Sequence, residues 1–179
     1  MKNNELLAPN LVKFLITSAA CLFVGTVQGA VQVMEPIRSW LVSIGTPNTN
    51  PGHLIDPLAH AHINLIGGVV LFLIGMVYYH FPRMSGKPLY SNRLVEHTYW
   101  WVTIGIVSFY LSLMTFGIVE GMLMLEGSPM QEVVHSYYSP VIATCATIMT
   151  VGYGAFFFNL TLSVMKKPEL EGKAAAERG

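Results

Sequence analysis

Four long apolar runs constrain this chain more than any other feature. They cover about residues 14–34, 57–81, 99–125 and 139–165, and each reaches the roughly 20 residues an α-helix needs to cross a bilayer. Inside hydrocarbon no water satisfies backbone N–H and C=O groups, so a spanning segment must close its hydrogen bonds within itself, as a helix does. The expected fold class is all-α: a polytopic membrane protein, one membrane domain over residues 1–179, arranged as a four-transmembrane-helix bundle. Composition agrees, with 53% hydrophobic and only 11% charged residues, where soluble domains carry about 25% charged. Formal net charge is zero, which leaves no electrostatic case for a nucleic-acid partner; membrane lipid is the expected surrounding.

Polar breaks separate the runs: "SIGTPNTNPGH", "PRMSGKPLYSNR" and "EGSPMQEVVH". The first run is longer than the 7–15 residue core of a cleaved signal peptide, so it is read as a span. The tail 166–179, "KKPELEGKAAAERG", is charged and rich in small residues and reads as a cytoplasmic end. Cys21 and Cys145 both fall inside apolar runs, which favours small core residues over a disulfide. There is no Gly-rich phosphate loop, C-x-x-C pair or nucleophile elbow, and the ten methionines read as packing, with Met122 and Met124 the pair placed to reach a metal.

Lys2, Lys13, Arg83, Lys87, Arg93, Lys166, Lys167, Lys173 and Arg178 all fall on one side of the expected topology, against Arg38 alone on the other. The positive-inside rule makes that side cytoplasmic and puts both termini there. Tyr78, Tyr79, Tyr99, Trp100 and Trp101 then fall near the inner interface, and Trp40, Tyr137 and Tyr138 near the outer one.

The histidines divide by depth. His60 and His62 open the second run and His135 precedes the fourth, all toward the outer face, with His53 in the outer loop; His80 and His97 sit about 30 Å away, at the inner face. His80 and His97, beside tyrosines and tryptophans, read as interfacial anchors. His60 and His62 project about 200° apart on an α-helix, so they cannot grip one ion but can serve two sites. Ionisable groups in a span usually face the bundle interior and mark function, and imidazole is a standard axial ligand of haem iron. An interfacial histidine bonded to water or headgroups is the competing reading. Depth makes His135 a candidate second ligand beside His60 or His62.

The stretch "HAHINLIGGVVLFLIGMVYYHFP" resembles the tenth transmembrane helix of the large catalytic subunit of cbb3-type haem-copper oxidases, relatives of nitric oxide reductases, with His60, His62, Gly67, Gly75, Tyr78, Tyr79 and Pro82 in one register. "LYSNRLVEHTYWWVTIGIV" continues the resemblance, "GIVEGML" is similar to the eleventh helix, and "HSYYSPVIA", "FFFNLTLSV" and "FVGTVQGAVQ" are similar, more loosely, to the last and ninth. The resemblance implies the C-terminal four helices of a subunit I-like protein. It also implies that His60 ligates a high-spin haem iron and His62 a low-spin haem b, so that both are metal ligands. The cofactor it implies is haem b, one or two per chain. The partners it implies are other respiratory-complex subunits, with cytochrome c or quinol as electron donor, in a bacterial or archaeal plasma membrane. The family's copper ligands lie in earlier helices, so copper is not expected in this chain alone. Gln28 stands at a position usually occupied by glutamate, Thr98 at one usually histidine, and the arginine expected after "HSYY" is missing.

Three readings follow: a haem-b-binding membrane subunit carrying electrons in a respiratory complex, a piece of a split haem-copper oxidase or nitric oxide reductase, and a non-redox haem-handling or assembly factor. Catalysis is at most that of an oxidoreductase subunit. Gln28, Gln32, Asn64, Glu120 and Asn159 are the other polar residues within the runs; Glu120 reads as interfacial and Asn64 as able to orient a ligand. Gly67 and Gly68 are where a porphyrin face would need clearance.

Overall fold

The computed structural model describes residues 7–166, and within them every regular element is helical. Lys2 and the tail beyond Lys166 lie outside the described residues. In order the helices are α1 (Leu7–Gln32), α2 (Ile37–Ser43), α3 (Leu54–Ser85), α4 (Asn92–Leu125), α5 (Met130–Ser136) and α6 (Tyr138–Val164). Four segments are long and apolar enough to cross a membrane: Leu11–Gln32, Leu54–Ser85, Asn92–Leu125 and Met130–Val164. The chain is a four-span helical membrane protein.

The helices outrun the apolar runs because hydropathy reports what lies in lipid, whereas caps decide where a helix stops. α4 begins at Asn92 because Ser91 accepts a hydrogen bond from the Leu94 N–H at 3.4 Å, satisfying one of the free donors of a helix start. α3 ends where Gly86 turns left-handed at φ +65°, the conformation that closes a helix and favours glycine. α3 is also not uniform. It is wound in wide π turns over Leu54–Ala59 and Ile63–Val70, on either side of a short α segment, His60–His62. Asp56, ahead of Pro57, is extended at φ −132°, ψ 111°, as residues before proline tend to be.

α1 packs on α3, α3 on α4, and α4 along α6 in the most extensive contact. The α4–α6 crossing is backbone against backbone: a Cβ on Gly105 would lie 2.8 Å from Met149 N, and one on Gly152 2.7 Å from Val102 N. Lipid tails are as apolar as leucine, so close packing, more than the hydrophobic effect, holds such helices together.

All four spans meet at one end, which also carries Lys13, Lys87 and Lys166; we call it the basic end. Phe14 of α1 is fully buried there, its ring 5.0 Å from Tyr99 and 6.2 Å from Tyr78, both edge-on. Tyr78 meets Phe156 of α6 at 5.4 Å. The polar atoms are paired: Tyr78 and Thr98 hydroxyls at 2.9 Å, Thr17 and Tyr99 at 2.7 Å. Asn159 accepts from the Ser91 N–H and donates to the Ser91 carbonyl, both at 3.0 Å. Lys13 pairs with Glu96, and Lys166 donates to the Leu89 carbonyl at 3.0 Å.

Candidate functional site

The histidines named from the sequence gather at the other half of the bundle. His60 and His62 leave the short α segment of α3 toward different neighbours: His60 faces α1 and His62 faces α4. The angular separation comes from two residues of α-helix, and the flanking π turns mark the kind of local unwinding often found at functional sites.

His62 is held at one nitrogen and free at the other. Its Nδ1–H donates to the Leu58 carbonyl, one turn back, at 2.8 Å, and its ring lies 5.0 Å from Phe109 of α4, tilted by 43°. A backbone carbonyl on Nδ1 fixes the tautomer with the lone pair on Nε2, the arrangement that orients most metal-ligating histidines.

His60 is instead wedged into the α1–α3 seam. A Cβ on Gly29 would stand 2.5 Å from His60 Cε1, so only glycine lets the ring lie there. Its Nε2 is 3.4 Å from Asn64 Nδ2, and its buried Nδ1 has no partner. Asn64 in turn fills the space over Gly25. The seam continues upward: Gln28 donates to the Ile55 carbonyl at 3.0 Å, Gln32 to Asp56 at 3.1 Å, and Arg38 lies 3.5 Å from Asp56. The buried Oε1 atoms of both glutamines are without partners.

His135, on α5, is not brought to either. Its Nδ1–H donates to Glu120 Oε2 at 2.9 Å, and its ring stacks on Tyr138 at 5.7 Å and 9°. Glu120, on α4, is only 1% exposed and stands about three turns, roughly 16 Å, from the Phe109 that packs on His62. His62 and His135 therefore pack on α4 at separate levels. Depth along the sequence did not reveal this, because α5 sits on the end of α4 rather than at the level of the short α segment.

The remaining residues have structural partners. His53 Nδ1 donates to the Pro47 carbonyl at 2.7 Å, and His80 packs edge-on to Tyr79 at 5.0 Å. Thr98 donates to the Leu94 carbonyl at 2.8 Å besides meeting Tyr78. Cys21 and Cys145 are free and buried, and Met124 packs against Leu41, Ile44 and Ile55. Among the described residues no three His, Cys, Asp or Glu side chains converge to hold a metal ion. What sequence reasoning missed is the Leu58 carbonyl, a backbone atom without a residue-type signal, and Asp56, hidden as a loop residue.

The residues can be tested against a haem by donor chemistry and space. His62 fits: one nitrogen anchored, the other available. The His60 side does not fit as it stands. A macrocycle between α1 and α3 would have to displace Cys21 and Leu22, because a Cβ on Gly67 would lie 2.8 Å from Cys21 Sγ and one on Gly68 2.5 Å from Leu22 Cδ2. The clearance expected at Gly67 and Gly68 is already taken by α1.

Comparison with known proteins gives the chain a family. The profile of the family described as cytochrome c and quinol oxidase polypeptide I matches residues 5–156. Cytochrome c oxidase subunit 1 of Rhodobacter capsulatus is 27% identical over 80% of this chain and 29% of its own length. A cbb3-type cytochrome c oxidase subunit of Stutzerimonas stutzeri is 24% identical over 67% of this chain and 23% of its own. A cytochrome c oxidase subunit 1 homolog of Agrobacterium tumefaciens (strain T37) is 22% identical over 90% of this chain and 30% of its own. The chain thus spans less than a third of the length of these curated relatives.

Proposed function

The chain belongs to the cytochrome c and quinol oxidase polypeptide I family, and from that premise we propose that it is a haem-b-binding membrane subunit carrying electrons within a respiratory oxidase complex. The observation that carries the reading is His62, with Nδ1–H on the Leu58 carbonyl and the Nε2 lone pair left free. When bound, haem b supplies a one-electron iron couple. This chain contributes one oriented imidazole, the Phe109 ring beside it, and an apolar surround from α3 and α4. The second axial ligand comes from another chain, since His135 packs on Glu120, about three turns along α4 from the Phe109 beside His62. His60 serves the seam with α1. The segregation of basic residues supports a cytoplasmic basic end, with electrons arriving from cytochrome c or quinol by way of partner subunits.

The reduced-minus-oxidised absorbance spectrum of the complex purified from membranes tests the assignment. His62→Ala removes one axial ligand, so the sharp reduced α-band of low-spin haem b is lost. His60→Ala keeps it. A band that persists in His62→Ala overturns the reading.

A second reading, a C-terminal piece of a split haem-copper oxidase or nitric oxide reductase, is favoured by the chain's spanning 23–30% of its relatives' length. It predicts co-purification of a second large membrane subunit carrying the copper-binding helices.

A further inference from the structure

A groove of about 310 Å³ runs over the surface between α1 and α3 at the basic end, lined by Leu11, Val12, Leu15, Gly75, Met76 and Tyr79. No charged side chain lines it. Its floor is fixed, because a Cβ on Gly75 would lie 2.8 Å from Phe14 Cβ and the Phe14 side chain is fully buried. Its walls are left uncovered: Val12, Leu15 and Tyr79 are 46%, 42% and 39% exposed.

One end of this groove carries a positive charge held in a single pose. The Arg83 guanidinium stands 3.6 Å over the ring of Tyr79, and its Nη1 donates to the Tyr79 carbonyl at 2.6 Å. A guanidinium has five N–H donors in a planar fork, so donors remain for another acceptor. Among the described residues no carboxylate pairs with Arg83. Arg83 lies in the last turn of α3, roughly 12 Å along the helix from Gly75 at 1.5 Å per residue. The groove therefore leads from a cation at the end of the span inward along an apolar floor.

We propose that this groove holds one anionic phospholipid, with an acyl chain along Leu15, Gly75 and Met76 and the phosphate on Arg83. Arginine suits phosphate because its fork donates two parallel hydrogen bonds. A free phosphate would leave the apolar walls without a partner, and a neutral apolar chain would leave the guanidinium without an acceptor. An anionic lipid fills both. Basic pockets between transmembrane helices on the cytoplasmic side favour such headgroups, and the basic residues of this chain segregate to this end. Ring and carbonyl preset the Arg83 pose, so little side-chain freedom is lost on binding. The groove shares no residue with the His62 site, and the two proposals stand or fall separately.

Native mass spectrometry of the full chain, released from detergent with phosphatidylglycerol or phosphatidylcholine of the same acyl chains, tests the site. One phosphatidylglycerol per chain is retained in preference to phosphatidylcholine. Arg83→Gln lowers phosphatidylglycerol retention about tenfold, the scale of one hydrogen bond to a charged group, and spares phosphatidylcholine. Met76→Trp fills the groove and lowers retention of both. Lys87→Gln, a cation bonded to the Val164 carbonyl and outside the groove, changes neither. Equal retention of the two lipids by the wild type overturns the proposal. So does an unchanged preference in Arg83→Gln, full retention in Met76→Trp, or an equal loss in Lys87→Gln. Should Arg83→Gln not elute as a folded species, phosphatidylglycerol with a diazirine in its acyl chain decides on the wild-type protein in membranes. Label on residues 11–15 and 75–79 supports the site. Absence of label there, as when a neighbouring subunit covers the groove, removes it.

Discussion

The basic end and the histidine-bearing half of this bundle are made from the same four spans yet solve opposite problems. At the basic end every polar side chain described above finds a partner: Tyr78 with Thr98, Thr17 with Tyr99, Asn159 with both backbone groups of Ser91. In the other half Gln28, Gln32, His60 and Glu120 each keep a buried polar atom without one, as only the hydroxyls of Ser18 and Thr103 do nearer the basic end among the described residues, and α3 abandons regular α winding. Natural proteins depart from full satisfaction mainly where function requires it. The difference teaches that packing is concentrated at one end and chemistry at the other.

If that division holds, damage to packing should outweigh damage to the unpaired half. The largest loss is expected for Gly105→Leu. Its Cβ would press on Met149 N at 2.8 Å and Cα at 3.1 Å, backbone atoms that move only with the whole of α6. The variant should fail to elute as a monodisperse species in detergent; normal elution would break the comparison at its strongest point.

Phe14→Ala comes next. In a water-soluble core this truncation costs about 3–5 kcal/mol. Here lipid replaces water as the alternative surrounding, so only the packing share is lost. Thermal unfolding in detergent should show a clear drop, smaller than that range implies.

Thr98→Val should cost about 1 kcal/mol, the net worth of one hydrogen bond, because the Tyr78 hydroxyl loses its partner. A drop as large as that of Phe14→Ala would mean that hydrogen bonding, rather than apolar packing, holds the basic end.

Gln32→Met should have the smallest effect. It removes a bond to Asp56 but also an unpaired buried oxygen, and the two changes oppose each other. A destabilisation equal to that of Thr98→Val would show that the unpaired oxygen is satisfied in the working protein, for instance by ordered water.

Much of this was legible in the residues. The four spans follow from hydrophobic length, and the divergence of His60 and His62 from helical period alone. The H-x-H pair and its surroundings also carried the family resemblance. What could not be read was which neighbour each imidazole meets. Spacing says that the rings point apart, but not that one lands on Gly29 and the other beside Phe109. Nor does it say that His135 pairs with Glu120, fifteen positions earlier.

The sequence by itself determined that this chain crosses a membrane four times, because apolar length and backbone satisfaction are properties of each segment alone. It also determined that two imidazoles, His60 and His62, would enter the second span and point apart. Only the tertiary structure decided what those groups can do. A histidine's availability depends on which nitrogen is taken and on what stands a few ångströms away, and those partners come from other helices, whose approach is set by where glycines permit contact.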